Sequence, residues 1–167
     1  MKALGVALAL ALAFGAAAAR AHGEVHVEID RVSARIRERP GDAALLAKRG
    51  VLYGKDGDWR AAVADLDAAF GLAGHDAGVG HDLGHALVEA GQPAHAVEVL
   101  DATLRLDPAL GDAYRVRARA HRALGMFEEA ERDFDRAIAA RPQAEPDLHL
   151  ERARMLAELD PAAAQRA

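Results

Sequence analysis

The chain repeats itself every 34 residues, and that period restricts it to architectures in which one small unit is stacked on itself. Gly57, Gly91 and Gly125 keep the step, as do Ala62, Ala96 and Ala130, and Leu66, Leu100 and Phe134. Gly50, Gly84 and Ala118 follow it too, and so do Gly74, Pro108 and Pro142, with Pro40 two steps before Pro108. A unit of this length holds two short helices and cannot bury its apolar face alone, so neighbouring units must share a core. The composition agrees. Apolar residues make up 51% of the chain but aromatics only 4%, and alanine dominates, which suits close helix packing better than a sheet.

Inside the first unit, DAALLAKRGVLYGK leads through Asp56-Gly57-Asp58 into WRAAVADLDAAFGLA. Trp59, Val63, Leu66 and Phe70 fall at i, i+4, i+7 and i+11, one stripe of an amphipathic helix. Gly57 supplies the left-handed residue that ends the first helix, and Asp58 caps the second. The small pairs Gly50/Ala62, Gly84/Ala96 and Ala118/Ala130 let paired helices approach closely. Three such units occupy 43–76, 77–110 and 111–144. Val25, Ile29, Val32 and Ile36 are in phase with the Trp59 stripe, so 24–38 is predicted to be a solitary helix within an N-terminal cap over 22–42. Residues 145–158 align with the first helices and open a C-terminal cap and tail over 145–167. The expected chain is all-α, with seven short helices.

These residues resemble the tetratricopeptide repeat family. The third unit matches best, with Tyr114, Ala118, Gly125, Phe127, Ala130, Phe134, Ala137 and Pro142. The second departs, with Gly80 at the first bulky position and Pro93 opening its second helix, where proline is tolerated. The resemblance implies a right-handed α-solenoid with half-repeat caps, whose first helices line a concave surface. That surface would carry Ala44, Ala47 and Val51, then Gly78, His81, His85 and Val88, then Asp112, Arg115, Arg119 and Arg122, and finally His149. It also implies a non-enzymatic module that binds a protein or peptide in this groove.

His81-Asp-Leu-Gly-His85 looks like the zinc-protease pattern of two histidines four apart around an acid. It aligns, however, with AKRGV and RVRAR of the other units and is a stretch of repeat helix. Asp82 is shorter than the usual glutamate, and no third-ligand motif follows. With no cysteine, a single serine (Ser33) and no phosphate-binding glycine loop, the chain offers no enzymatic constellation. His81 and His85 are instead expected to face the groove beside Arg115, Arg119 and Arg122. Arginine forks hold carboxylates in a bidentate grip, so the expected ligand has acidic groups or a C-terminal carboxylate. Protonating the histidines would add positive charge for it. The asparagines that grip a terminal carboxylate in some family members are absent, because the chain has none.

Residues 1–21, MKALGVALALALAFGAAAARA, have the layout of a secretory signal peptide, with Ala19-Arg20-Ala21 as the cleavage motif. The protein is therefore expected to be exported, periplasmic or secreted, without stable membrane insertion once the segment is cut. Removal of Lys2 and Arg20 from 21 basic residues leaves 19 against 26 acidic ones, a net charge of about −7. Nucleic acid is excluded as a general partner. Cleavage after Ala21 would free His22 as the terminal residue with His26 one turn on, while cleavage after Ala19 would give Arg-Ala-His22. Both are copper(II)-type nitrogen sets, and His81 with His85, four apart on one helix face, can hold a divalent ion with His75 and His149 as further ligands. The alternative reading is therefore a periplasmic metal-binding protein that uses His22, His26 and the groove histidines.

Overall fold

A computed structural model of the chain describes residues 23–140 and 146–159. Among them stand eight α-helices and no strand: α1 over 23–38, α2 (Ala43–Asp56), α3 (Trp59–Leu72), α4 (Ala77–Glu89), α5 (Pro93–Leu106), α6 (Gly111–Ala123), α7 (Phe127–Ala140) and α8 (Pro146–Leu159). The count exceeds the expected seven, because three pairs take six helices and each end adds one. Residues 1–21, both cleavage sites, His22 and Pro142 lie outside the described residues.

The helix ends are set by local chemistry. Asp42, Asp58 and Asp76 cap α2, α3 and α4, each accepting from the backbone N–H three residues on, at 3.1, 3.0 and 3.0 Å. Between paired helices, Gly57, Gly91 and Gly125 take φ of 85°, 72° and 75°, the left-handed conformation that the repeating glycine predicts. Pro93 opens α5, where its missing N–H is not needed.

Helices α2–α3, α4–α5 and α6–α7 pack as antiparallel-type hairpins, and each second helix also packs against the first helix of the next pair. Ala62, Ala96, Ala118 and Ala130 are fully buried. A side chain added at Gly50 or Gly84 would come within 2.6 Å of Leu66 or Leu100, so glycine sets how closely these helices approach. Gly80, the departure from the repeat pattern, is filled by its neighbours: an added Cβ would lie 2.2 Å from the Thr103 hydroxyl and 2.8 Å from the Phe70 ring. The core runs continuously from Leu66 and Phe70 through Leu83, Leu87 and Leu100 to Val116, and a second cluster under α8 holds Phe134, Ala137, Leu148 and Met155. Tyr114 touches both. At the N-terminal end, Ile29 and Val32 of α1 are buried in the phase that the sequence predicts.

Two ion pairs on buried aspartates, each held by a partly buried arginine, pin helices together. Arg49 grips Asp65 with two bonds of 2.6 and 2.8 Å, and its third nitrogen donates to Ser33 Oγ at 3.1 Å. Arg117 grips Asp133 at 2.8 and 2.6 Å and donates to Asp101 at 2.6 Å. His121 Nδ1 adds a third bond to Asp133, at 3.1 Å. Sequence reasoning missed these pairs, although a signal existed: in both units arginine and aspartate stand 16 residues apart across the interhelix turn.

Candidate functional site: the face of the first helices

The first helices form one surface, with α2 against α4 and α4 against α6. Side-chain bonds carry that surface on to α8. Arg119 of α6 reaches back to Glu89 of α4 at 2.8 Å. Arg115 of the same helix reaches forward to Glu151 of α8, with bonds of 3.2 and 2.5 Å. Arg122 stands 3.5 Å from Glu158, also on α8. The i, i+4, i+7 arginine stripe therefore does lie on one face, beside α4 and α8.

The structure changes the electrostatics of that stripe. Arg115, Arg119 and Arg122 are not three open cations, because each already holds a glutamate of this chain. The Glu151 hydrogen bond outweighs partial burial and stabilises the charged form of Arg115. An incoming carboxylate must therefore exchange with a resident one. Arginine side chains that are roughly a third exposed can make that exchange at modest cost.

His81 and His85 sit on α4 as expected, both partly exposed. The His81 ring lies 3.1 Å from the Asp82 carboxylate. His85 meets the edge of the Trp59 ring, with centroids 5.7 Å apart, and stands 3.9 Å from Glu89, the partner of Arg119. Burial, aided by Arg119 and His81, lowers the His85 pKa below the ordinary histidine value, against the opposing pull of Glu89 and Asp82. Its protonation is thus displaced to more acidic conditions than the sequence suggests. His149 is exposed on α8, while His75 packs on Phe70 in the turn before α4 with a left-handed φ of 67°. The structure does not bring His75 or His149 into a set with His81 and His85: among the described residues no group of three His, Asp or Glu side chains is arranged to hold a metal ion. His26 lies 3.4 Å from Asp56.

The sequence also missed a hollow of about 290 Å³ between α2, α3 and α4, which Val51, Gly54, Trp59, Leu66 and His85 help to line. Trp59 packs on the core as its helical phase predicts, and it also lines this open space. The clue was Gly54, which leaves room where the next repeat carries Val88. No described helix is long and apolar enough to cross a membrane.

A model of the tetratricopeptide repeat matches residues 81–145 and 116–166. Solved structures with the same fold include MamA from Desulfovibrio magneticus RS-1, 21% identical with a TM-score of 0.75, covering 81% of this chain and 76% of that one. The first tetratricopeptide domain of Spaghetti (RPAP3), bound to the HSP90 peptide SRMEEVD, is 21% identical with a TM-score of 0.65, covering 70% of this chain and 92% of that one. The tetratricopeptide domain of Arabidopsis OM64 is 23% identical with a TM-score of 0.64, covering 68% and 93%. No curated protein sequence matches the chain.

Proposed function

Since the chain belongs to the tetratricopeptide repeat family, we propose that it is an exported, non-enzymatic interaction module that binds a partner protein or peptide on the face of its first helices. The observation that carries this reading is the band of charged side chains across α4, α6 and α8. His81, His85, Glu89, Arg119, Arg115, Glu151, Arg122 and Glu158 lie at its surface, outside the hydrophobic clusters that hold the solenoid together. A domain of the same fold was solved with a peptide rich in carboxylates, which supports a ligand of that kind here. Arg115, Arg119 and Arg122 would take its carboxylates from Glu151, Glu89 and Glu158, with His81 and His85 at the flank. The apolar stretch before an A-x-A motif supports export to the periplasm or beyond.

The test is capture of partners from the envelope fraction, comparing the native chain with Arg115→Ala/Arg119→Ala. Capture by the native chain should weaken as salt rises and fall in the double variant. Undiminished capture by the folded double variant overturns the groove reading.

A further inference from the structure

The hollow between α2, α3 and α4 has no counterpart to the ion pair found one repeat on, and the 34-residue register says why. Gly54, Lys55 and His85 stand where Val88, Glu89 and Arg119 stand in the following interval. There Val88 supplies a side chain, and Glu89 bonds to Arg119 at 2.8 Å. In the first interval a lysine and a histidine occupy those two positions, and they cannot form that bond. Lys48, the other described lysine, holds Glu28 at 2.5 Å, whereas Lys55 is exposed and has no carboxylate partner among the described residues. Gly54 leaves the space open: a Cβ there would already touch the Trp59 ring at 3.0 Å. The hollow, about 290 Å³, is lined by Val51, Trp59 and Leu66, with Lys55, Asp82 and His85 as its polar members. A cavity of roughly 150 Å³ suffices for benzene, so this one has room for a leucine or phenylalanine side chain.

We propose that this hollow is the anchor site of the partner: it takes a bulky apolar side chain against Trp59 and Leu66, and Lys55 with His85 takes a carboxylate beside it. The partner's acid fills the role that Glu89 plays for Arg119 within the chain, and its side chain fills the space that Val88 fills. Asp82 lies against His81, and Glu89, 3.9 Å from His85, is bonded to Arg119, so Lys55 is the cation at the hollow that holds no resident carboxylate. The assignment rests on the groove reading and narrows it to a class of ligand: an extended segment with an apolar residue next to an acidic one.

Trp59 is the only tryptophan, so its emission and its indole N–H resonance report on the hollow alone. The probe is the acetylated, amidated tetrapeptide Gly-Leu-Asp-Gly, titrated into the full chain alongside versions with Asn for Asp or Ala for Leu. A saturable Trp59 response is expected for the first, about tenfold weaker for either substitute. Lys55→Glu, on the surface, should reverse the preference toward Gly-Leu-Lys-Gly, and Gly54→Val should remove the response by filling the hollow. No Trp59 response to any peptide overturns the proposal, and so does a response indifferent to Asp→Asn or to Lys55→Glu. Arg115→Ala/Arg122→Ala, whose glutamate partners stand on α8, should leave this titration unchanged. Loss of partner capture in that variant therefore bears on the groove reading, and loss of the Trp59 response bears on the hollow.

Discussion

Repeats one and three fasten their two helices with an ion pair on a buried aspartate, while repeat two makes the same joint with hydrocarbon. Arg49–Asp65 and Arg117–Asp133 stand 68 residues apart, and the position midway between each pair of equivalents is apolar: Leu83 for the arginines, Val99 for the aspartates. Leu83 is fully buried and Val99 nearly so. The third bond follows the same register, since Ser33 and Asp101, which accept the remaining guanidinium nitrogen, are also 68 residues apart. The fold thus asks for a filled contact at this joint and accepts either chemistry. What the arginine adds is reach. One guanidinium ties its own helix to the second helix of its repeat and to the second-type helix before it, which a leucine does by shape alone.

The comparison breaks most visibly at Asp133. Its carboxylate is almost wholly buried and accepts from two Arg117 nitrogens and from His121. Asp133→Ala takes two of the three bonds from the largely buried Arg117 guanidinium and leaves it only the outlying Asp101, so stability measured by urea unfolding should fall by roughly 3 kcal/mol. The corresponding Asp65→Ala should lose less, because Arg49 is more exposed than Arg117. Equal losses would show that burial does not separate the two joints. The same group gives a pH signature. Burial pushes the Asp133 pKa up, but bonds from Arg117 and His121 outweigh it and hold the carboxyl below its ordinary range. A carboxyl depressed in the folded state stabilises the protein above its unfolded pKa, and that contribution is lost as pH falls through the folded one. The native chain should therefore lose stability below about pH 4 more steeply than Asp133→Ala does.

A second, smaller effect comes from transplanting the hydrocarbon joint. Arg49→Leu with Asp65→Val gives repeat one the residues that repeat two already uses. Well-packed apolar replacements of buried ion pairs range from neutral to about 1–4 kcal/mol more stable. The double variant should fall in that range by thermal or urea unfolding, while Asp65→Val alone destabilises by leaving Arg49 unpaired. A double variant less stable than the single one would mean that the two joints are not interchangeable.

The period made the helix pairs, the glycine turns, the cap at Asp58 and the small-residue contacts legible, because each follows from local spacing and backbone chemistry. Gly57 and Asp58 alone fix one turn and one helix start. The groove was legible only as a set of positions. Arg119 meets Glu89 across 30 residues and Arg115 meets Glu151 across 36, offsets close to one repeat but set by side-chain reach between neighbouring helices. No residue-by-residue alignment shows which acid turns toward which arginine. Trp59 packs on the core as its helical phase predicts, but the hollow beside it was not legible for a related reason: phase gives the face a residue occupies, and the open space on that face depends on Gly54 one helix away.

The smallest expected effect sharpens the contrast between joint and groove. Arg115 binds Glu151 through two nitrogens, the same fork that Arg117 offers Asp133 two residues further along α6. Two residues of helix turn the side chain to the other face, where 37% of Arg115 is exposed against 12% of Arg117. Water screens the outer pair and can take over its hydrogen bonds when one partner is removed. Arg115→Ala should therefore cost no more than about 1 kcal/mol in urea unfolding, well below the loss at Asp133, and that loss should shrink further in high salt. A loss near that of Asp133→Ala would make Arg115 part of the scaffold and remove it from the binding chemistry proposed for the groove. A small loss means that arginines on this face can be removed from a folded solenoid, so a fall in partner capture by Arg115→Ala/Arg119→Ala then reads as lost recognition rather than lost structure.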